Sequence, residues 1–239
     1  MSKAQVPRFL VQAEEKEKTY DWLEAVEFYK KALAYVLKQK DFLKAGDVQE
    51  RIGHCFYRAA FQAESREEFK EGMQRAVEAY EEAHGLYEKL ADEQKIARIF
   101  RCDAMPAYIG YWLAAEAPEK KRLINECWRL TKEALKSLDE TGSALEYGET
   151  YNQLSSSADH RYVFESNFQF REELIREAVQ YGERAIILLS TVNAPDELAR
   201  AYVKTGMYLS VLAWYFASDM DEKESYYKKG LARALCLRV

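Results

Sequence analysis

The chain has 239 residues, of which 48% are hydrophobic and only 10 are glycine and 4 proline, and its net charge is −5. That is enough apolar side chain for a large core, and the charge is spread along the chain with no basic stripe for nucleic acid to grip. Helices tolerate few glycines and prolines, whereas sheets need turn residues often, so the composition predicts an all-α protein.

The N-terminal stretch Met1 to Glu15 has no apolar core of signal-peptide length, and a first helix is expected from about Gln5 to Lys18. A second follows at about 21 to 40. From there the chain alternates between a helix A and a helix B. The A helices are expected at about 42 to 63, 93 to 115, 144 to 163 and 195 to 217. The B helices are expected at about 67 to 90, 118 to 139, 169 to 190 and 221 to 238. Asp41, Asp92 and Ser143 stand before the A helices as N-caps, whose side chains accept a hydrogen bond from an orphan backbone N–H. Ala194 is followed by Pro195, which suits a first helical position. Ser65, Glu116, Asn167 and Ser218 stand before the B helices; Ser65 has Glu68 at capping-box spacing, and Pro118 takes a first-turn position. The connections are short, so neighbouring helices must run antiparallel.

The elements repeat with a period of 51 residues. Ala32, Ala83, Ala134 and Ala185 keep that interval, as do Ala25, Ala76, Cys127 and Ala178, and the small residues Gly53, Ala104, Ser155 and Gly206. A fixed period of this size is one supersecondary unit copied and stacked. The units fall at about 1–40, 41–91, 92–142, 143–193 and 194–239, one continuous body in which no unit buries its apolar face alone. Within helix B, Ala25, Tyr29 and Ala32 in the first unit match Ala76, Tyr80 and Ala83 in the second, and residues three and four apart share a helix face. Later copies relax the middle position, with Cys127, Thr131 and Ala134, then Ala178, Gly182 and Ala185, and finally Tyr227, Leu231 and Ala234. In helix A, Phe100, Tyr151 and Tyr202 hold one column as wedges between units, with Gln49 in the first copy.

Ile52, Gly53 and Phe56, followed by Ala76, Tyr80 and Ala83, resemble the tetratricopeptide (TPR) signature, and Tyr151, Leu154 and Ser155 resemble its first half. The chain is similar to a TPR-like repeat protein over nearly its whole length, although the TPR period is 34 residues and the extra length adds about two turns to each helix. The resemblance implies a right-handed α-solenoid of antiparallel helical hairpins, about ten helices in all, with the A helices lining a concave face. By column, that face would carry Asp47, Glu50, His54, Tyr57 and Arg58 in the second unit, and Arg98, Arg101, Met105 and Tyr108 in the third. The fourth would offer Glu149, Asn152, Ser156, Asp159 and His160, and the fifth Arg200 and Met207. Mixed charge with aromatics suits a protein or peptide partner. TPR clamps for chaperone tails use a Lys and Asn pair; here those positions hold Glu50 and His54, Arg101 and Met105, or Asn152 and Ser156, so that ligand is not expected.

Nothing points to catalysis, a metal or a cofactor. His54, His84 and His160 sit in no HExxH and near no cysteine at ligand spacing, and no glycine-rich loop follows a strand. Asp159 and His160 are adjacent in a helix and so point about 100° apart, which is poor for an acid–base pair. Cys55, Cys102, Cys127 and Cys236 form no CxxC and read as reduced thiols, and Tyr208 to Ala217, the most apolar stretch, is about half a membrane span. A soluble, cytoplasmic protein is expected. Pro106 falls inside a predicted A helix, where it would kink the helix or adjust its curvature, opening a pocket beside Tyr108, Tyr111 and Trp112 in the first case. The aromatic stretch Tyr162 to Phe170 would seal the end of a hairpin or offer a partner patch. The function expected is a non-catalytic binding scaffold. The alternatives are a sensory or regulatory module of a larger protein, and a self-assembling structural protein, which includes a homodimer through a terminal repeat.

Overall fold

The computed structural model describes residues 5–90, 95–138 and 142–235. The expected cap Asp92 and the thiol of Cys236 lie outside them, as does the side chain of Ala234. The described residues form ten α-helices and no strand. They are α1 (Gln5–Lys18), α2 (Trp22–Lys38), α3 (Phe42–Ala60), α4 (Arg66–Tyr87), α5 (Lys95–Leu113), α6 (Ala117–Ser137), α7 (Ala144–Val163), α8 (Phe168–Leu189), α9 (Pro195–Tyr215) and α10 (Met220–Leu235). The chain divides into two compact units, Met1–Leu123 and Ile124–Val239. In the first, α1 to α5 pack each against the next in sequence; in the second, α7 to α10 do the same, with α7 also meeting α9.

Local chemistry starts most of these helices. Asp41 accepts from the backbone N–H of Lys44 at 3.1 Å, and Asn167 from those of Gln169 and Phe170. Ser143 forms a full capping box: it accepts from Glu146 N–H, and its own N–H donates to the Glu146 carboxylate at 3.0 Å. Ser65 accepts from Glu68 N–H at 3.1 Å, but the Glu68 carboxylate takes the N–H of Glu64 instead of closing the box. The cap of α10 is Asp219 rather than the expected Ser218: Asp219 Oδ1 accepts from Glu222 N–H at 2.8 Å. Ser218 lies one residue outside, with its N–H and hydroxyl both donating to Glu222 Oε2. Tyr20 and Lys40 carry left-handed backbone (φ 62° and 57°) just after α1 and α2. There Asp21 N–H and Asp41 N–H reach back to the carbonyls of Lys16 and Val36, closing each helix end at the expense of an unfavourable backbone conformation for a side-chain-bearing residue.

The small-residue columns are where helices touch. Ala25, Ala32, Ala76, Ala83, Cys127, Ala134, Ala178 and Ala185 are all fully buried. Large side chains fill the space that they leave, among them Trp22, Tyr80, Tyr87, Ile124, Leu154, Tyr208 and Leu212. Each contributes roughly 1.5–3 kcal/mol on burial, so these contacts and not helix propensity hold the stack of neighbours. α5 runs through Pro106. Beside it the Tyr108 ring packs against Tyr57 (6.1 Å between centroids) and Trp112 (6.4 Å). In the second unit Phe168 packs on Phe216 at 4.9 Å and Tyr162 on the same ring at 6.5 Å, so the aromatic connection seals the α7–α8–α9 end while Val163, Phe168 and Phe170 stay open to solvent.

Candidate functional site

The first unit gathers the charged positions of α3 and α5 into pairs. Asp47 and Arg98 are one period apart, as are Glu50 and Arg101. Arg98 Nε lies 3.5 Å from Asp47 Oδ1, and Arg101 Nη2 donates to Glu50 Oε2 at 3.0 Å. Tyr87, from α4, is fully buried and places its hydroxyl 2.8 Å from Asp47 Oδ1 and 3.0 Å from Glu50 Oε2. One O–H donates to one acceptor at a time, so the two carboxylates compete for it, and the arginines balance their charge. Burial pushes the Tyr87 hydroxyl far above its ordinary range, with Glu50 and Asp47 adding to the shift, so it serves as a donor and never as a phenolate. Asp47 keeps 51% of its side chain exposed at the rim of the cluster. The protein packed around it still raises its pKa; the Tyr87 hydrogen bond opposes this and Glu50 adds to it.

His54 and Arg58 serve a different contact. His54 meets the edge of the buried Trp22 ring at 6.0 Å, and the Arg58 guanidinium lies over the same ring at 4.8 Å. Tyr57 and Tyr108 are buried in the aromatic cluster, and Met105 is half-buried on α5. The columns therefore split: Asp47, Glu50, Arg98 and Arg101 form one polar cluster, while Tyr57 and Tyr108 belong to the packing between helices.

The second unit differs. Asn152 is buried, and its Nδ2 donates at 2.9 Å to both the backbone carbonyl and Oε2 of Glu197 on α9. Arg200 pairs with that same carboxylate from one turn further on, and Lys204 Nζ donates to Ser156 Oγ. Glu149 is half-buried on α7. Asp159 and His160 stand 4.0 Å apart, beyond hydrogen-bond reach. Burial pushes Asp159 up, while burial and the Lys204 charge push His160 down to about 3. A neutral imidazole and a separated carboxyl make no proton relay.

Several polar partners were not marked by the repeat. Glu17 is buried on α1 and receives Arg51 through Nε (2.8 Å) and Nη2, the Tyr29 hydroxyl (2.8 Å) and the Cys55 thiol (3.3 Å). It lies on α1, where no repeated column was marked, so nothing pointed to it. Tyr87 lies four residues after Ala83, Glu197 three before Arg200 and Lys204 four after it, each about one helical turn from a named position. His84 Nδ1 donates to Asp103 Oδ1 at 2.7 Å, joining α4 to α5, with Glu88 at 3.4 Å from its other nitrogen. The thiols of Cys55, Cys102 and Cys127 are free and buried, and burial raises the pKa of all three, so none offers a thiolate at neutral pH. No helix among the described residues is long and apolar enough to cross a membrane.

No family model and no curated protein matches the chain. Among solved structures, it is similar to a chain described as "Computational Design of Self-Assembling Cyclic Protein Homooligomers", at 13% identity and a TM-score of 0.34, over 99% of this chain and 97% of that one.

Proposed function

We propose that the protein is a non-catalytic scaffold, a TPR-like right-handed α-solenoid that holds a protein or peptide segment on its A-helix faces. What supports the solenoid is helix-to-next-helix packing inside each unit, joined to the period of 51 residues. The observation that carries the binding role is the Asp47–Arg98 and Glu50–Arg101 cluster of the first unit. It sets both signs of charge side by side on adjacent A helices, with Asp47 half open to solvent. An extended segment bearing alternating charge and an apolar side chain is the chemistry such a face accepts, with charge setting orientation and on-rate. A fluorescence-anisotropy screen of mixed-charge peptides tests this reading. Binders are expected to lose roughly ten-fold in affinity on Asp47→Lys, with circular dichroism checking that the helices are kept, and a lysine in the peptide is expected to be the contact that is lost. Binding that is indifferent to Asp47→Lys and Arg98→Glu would sink the proposal for this face.

A further inference from the structure

α10 has two unlike faces. Its inner face is committed: the Tyr226 hydroxyl accepts from Arg176 on α8 at 2.7 Å, Arg233 approaches Glu183 on α8 at 3.6 Å, and Gly230 lies against α9. A Cβ on Gly230 would come within 3.3 Å of the Gly206 carbonyl oxygen, so the two backbones are in close contact. The outer face holds Met220 (73% exposed), Leu231 (62%) and Tyr227, which meets the ring of Trp214 on α9 at 6.2 Å; Trp214 is itself 66% exposed. Positions 220, 227 and 231 fall along one stripe of a helix. Beside that stripe the charges separate by sign along the axis. Asp221 and Glu224 are exposed in the first half and Lys228 in the second; Lys229, also exposed, lies on the opposite side of the helix. Lys223 is the exception in the first half, and its ammonium is turned onto the Trp214 ring at 4.6 Å.

We propose that α10 pairs with α10 of a second copy, antiparallel about a two-fold axis near Ser225 and Tyr226. A two-fold contact uses the same patch on both partners, so the patch must complement itself. This one does in a single direction. Antiparallel pairing sets Glu224 of each helix beside Lys228 of the other, and sets Met220 toward Leu231, with the two Tyr227 rings near the axis. Parallel pairing sets Glu224 against Glu224 and Lys228 against Lys228, which repel. The Glu224–Lys228 pair already formed within the helix at 2.7 Å is retained and becomes part of a four-charge cluster. One helix face with Trp214 is a small contact beside the roughly 800 Å² per partner of a standard interface, so the dimer is a weak one. It leaves the α3 and α5 surface free, and it stands or falls separately from the peptide-binding reading.

Sedimentation equilibrium on the whole chain tests the pairing. The wild type should pass from monomer to dimer with rising concentration, and higher salt should shift it back toward monomer. Lys228→Glu should weaken association at least ten-fold. Adding Glu224→Lys should restore it, because the swapped charges again complement each other across an antiparallel pair. Circular dichroism on each variant shows that helix content is kept. In a Cys236→Ser background, Tyr227→Cys should cross-link to itself under oxidation, and Lys229→Cys, about 160° round α10 from Tyr227, should not. A chain that stays monomeric to about millimolar concentration would overturn the proposal. So would association unchanged by Lys228→Glu, or no rescue in a folded Lys228→Glu, Glu224→Lys double variant.

Discussion

The α3–α4 hairpin of the first unit and the α7–α8 hairpin of the second occupy the same columns 102 residues apart, and they solve the same contact in two ways. At one column the arrangement is shared. Gly46 lies under the Tyr87 ring and Gly148 under the Leu189 side chain, each so close that an added Cβ would meet that side chain within 2.7 Å. At the other column the volumes change sides. In the first hairpin the A helix supplies Gly53 and the B helix the large Tyr80, whose ring a Cβ on Gly53 would meet at 3.0 Å. In the second hairpin the B helix supplies Gly182, against Ser155 of the A helix and Thr205 of α9. What the repeat keeps is one very small residue per close approach, and either helix can carry it.

Polarity follows volume. Tyr87 carries a hydroxyl into the first hairpin, and Asp47, Glu50, Arg98 and Arg101 gather around it. Leu189 carries none, and α7 buries small neutral groups instead. Ser155 donates to the Ala178 carbonyl at 2.7 Å, and Ser156 to that of Asn152 at 2.9 Å. Small hydroxyls satisfied by a nearby backbone carbonyl cost little to bury, whereas buried ions need every partner in place.

The largest expected break in this comparison is at Tyr87. Tyr87→Ala should cost about 3–5 kcal/mol in urea unfolding, from a cavity over Gly46 and from carboxylates left without their donor. Tyr87→Phe keeps the ring and should cost about 1–3 kcal/mol, the share of the hydroxyl alone. If Tyr87→Phe unfolds like the wild type, the polar cluster contributes nothing to the first unit.

An intermediate effect is expected at the exchanged column. Gly182→Ala drives a methyl into Thr205 Oγ1, a buried oxygen with no hydrogen-bond partner, and should cost about 1–3 kcal/mol. Thr205→Ala in the same chain should recover most of the loss by making room. Gly53→Ala meets only the face of Tyr80 and gains about 0.5–1 kcal/mol in helix propensity, so it should come out near neutral. Equal costs at Gly53 and Gly182 would show that the two hairpins do not differ in the tightness of this contact.

The smallest effect is on pH dependence, and it has opposite signs in the two units. Burial pulls the His84 pKa down, but the Asp103 hydrogen bond and charge, with Glu88, outweigh that and raise it above its ordinary value. The stability it adds is therefore fully present below about pH 6.5 and is lost as pH rises through the raised folded value. His160 stays neutral in the fold down to about pH 3, so below about pH 6.5 the unfolded chain takes up a proton that the folded chain refuses. Stability falls on that side by at most about 1.4 kcal/mol per pH unit. Unfolding measured between pH 4.5 and 8 should show His160→Gln flattening the loss of stability below about pH 6.5 and His84→Gln flattening the loss as pH rises above it. Flattening on the same side in both variants would contradict this assignment.

The pattern along the chain determined the helices, most of their ends and the alanine columns that lie buried between them. These depend on interactions within about four residues, on periodicity and on capping groups, all of which are local in sequence. It also marked Asp47, Glu50, Arg98 and Arg101 as related positions, because a fixed period puts them at equivalent places. Their pairing was another matter. That Glu50 meets Arg101, that Tyr87 reaches both carboxylates, that Asn152 is spent on Glu197 and that Glu17 is buried under Arg51 all depend on how one helix crosses the next. A shift of one side-chain position between helices changes every such partner and leaves the local pattern untouched. The exchange of Gly53 and Tyr80 for Ser155 and Gly182 has the same origin: each chain segment only had to be helical with one small face, and the tertiary structure decided which helix would yield the space.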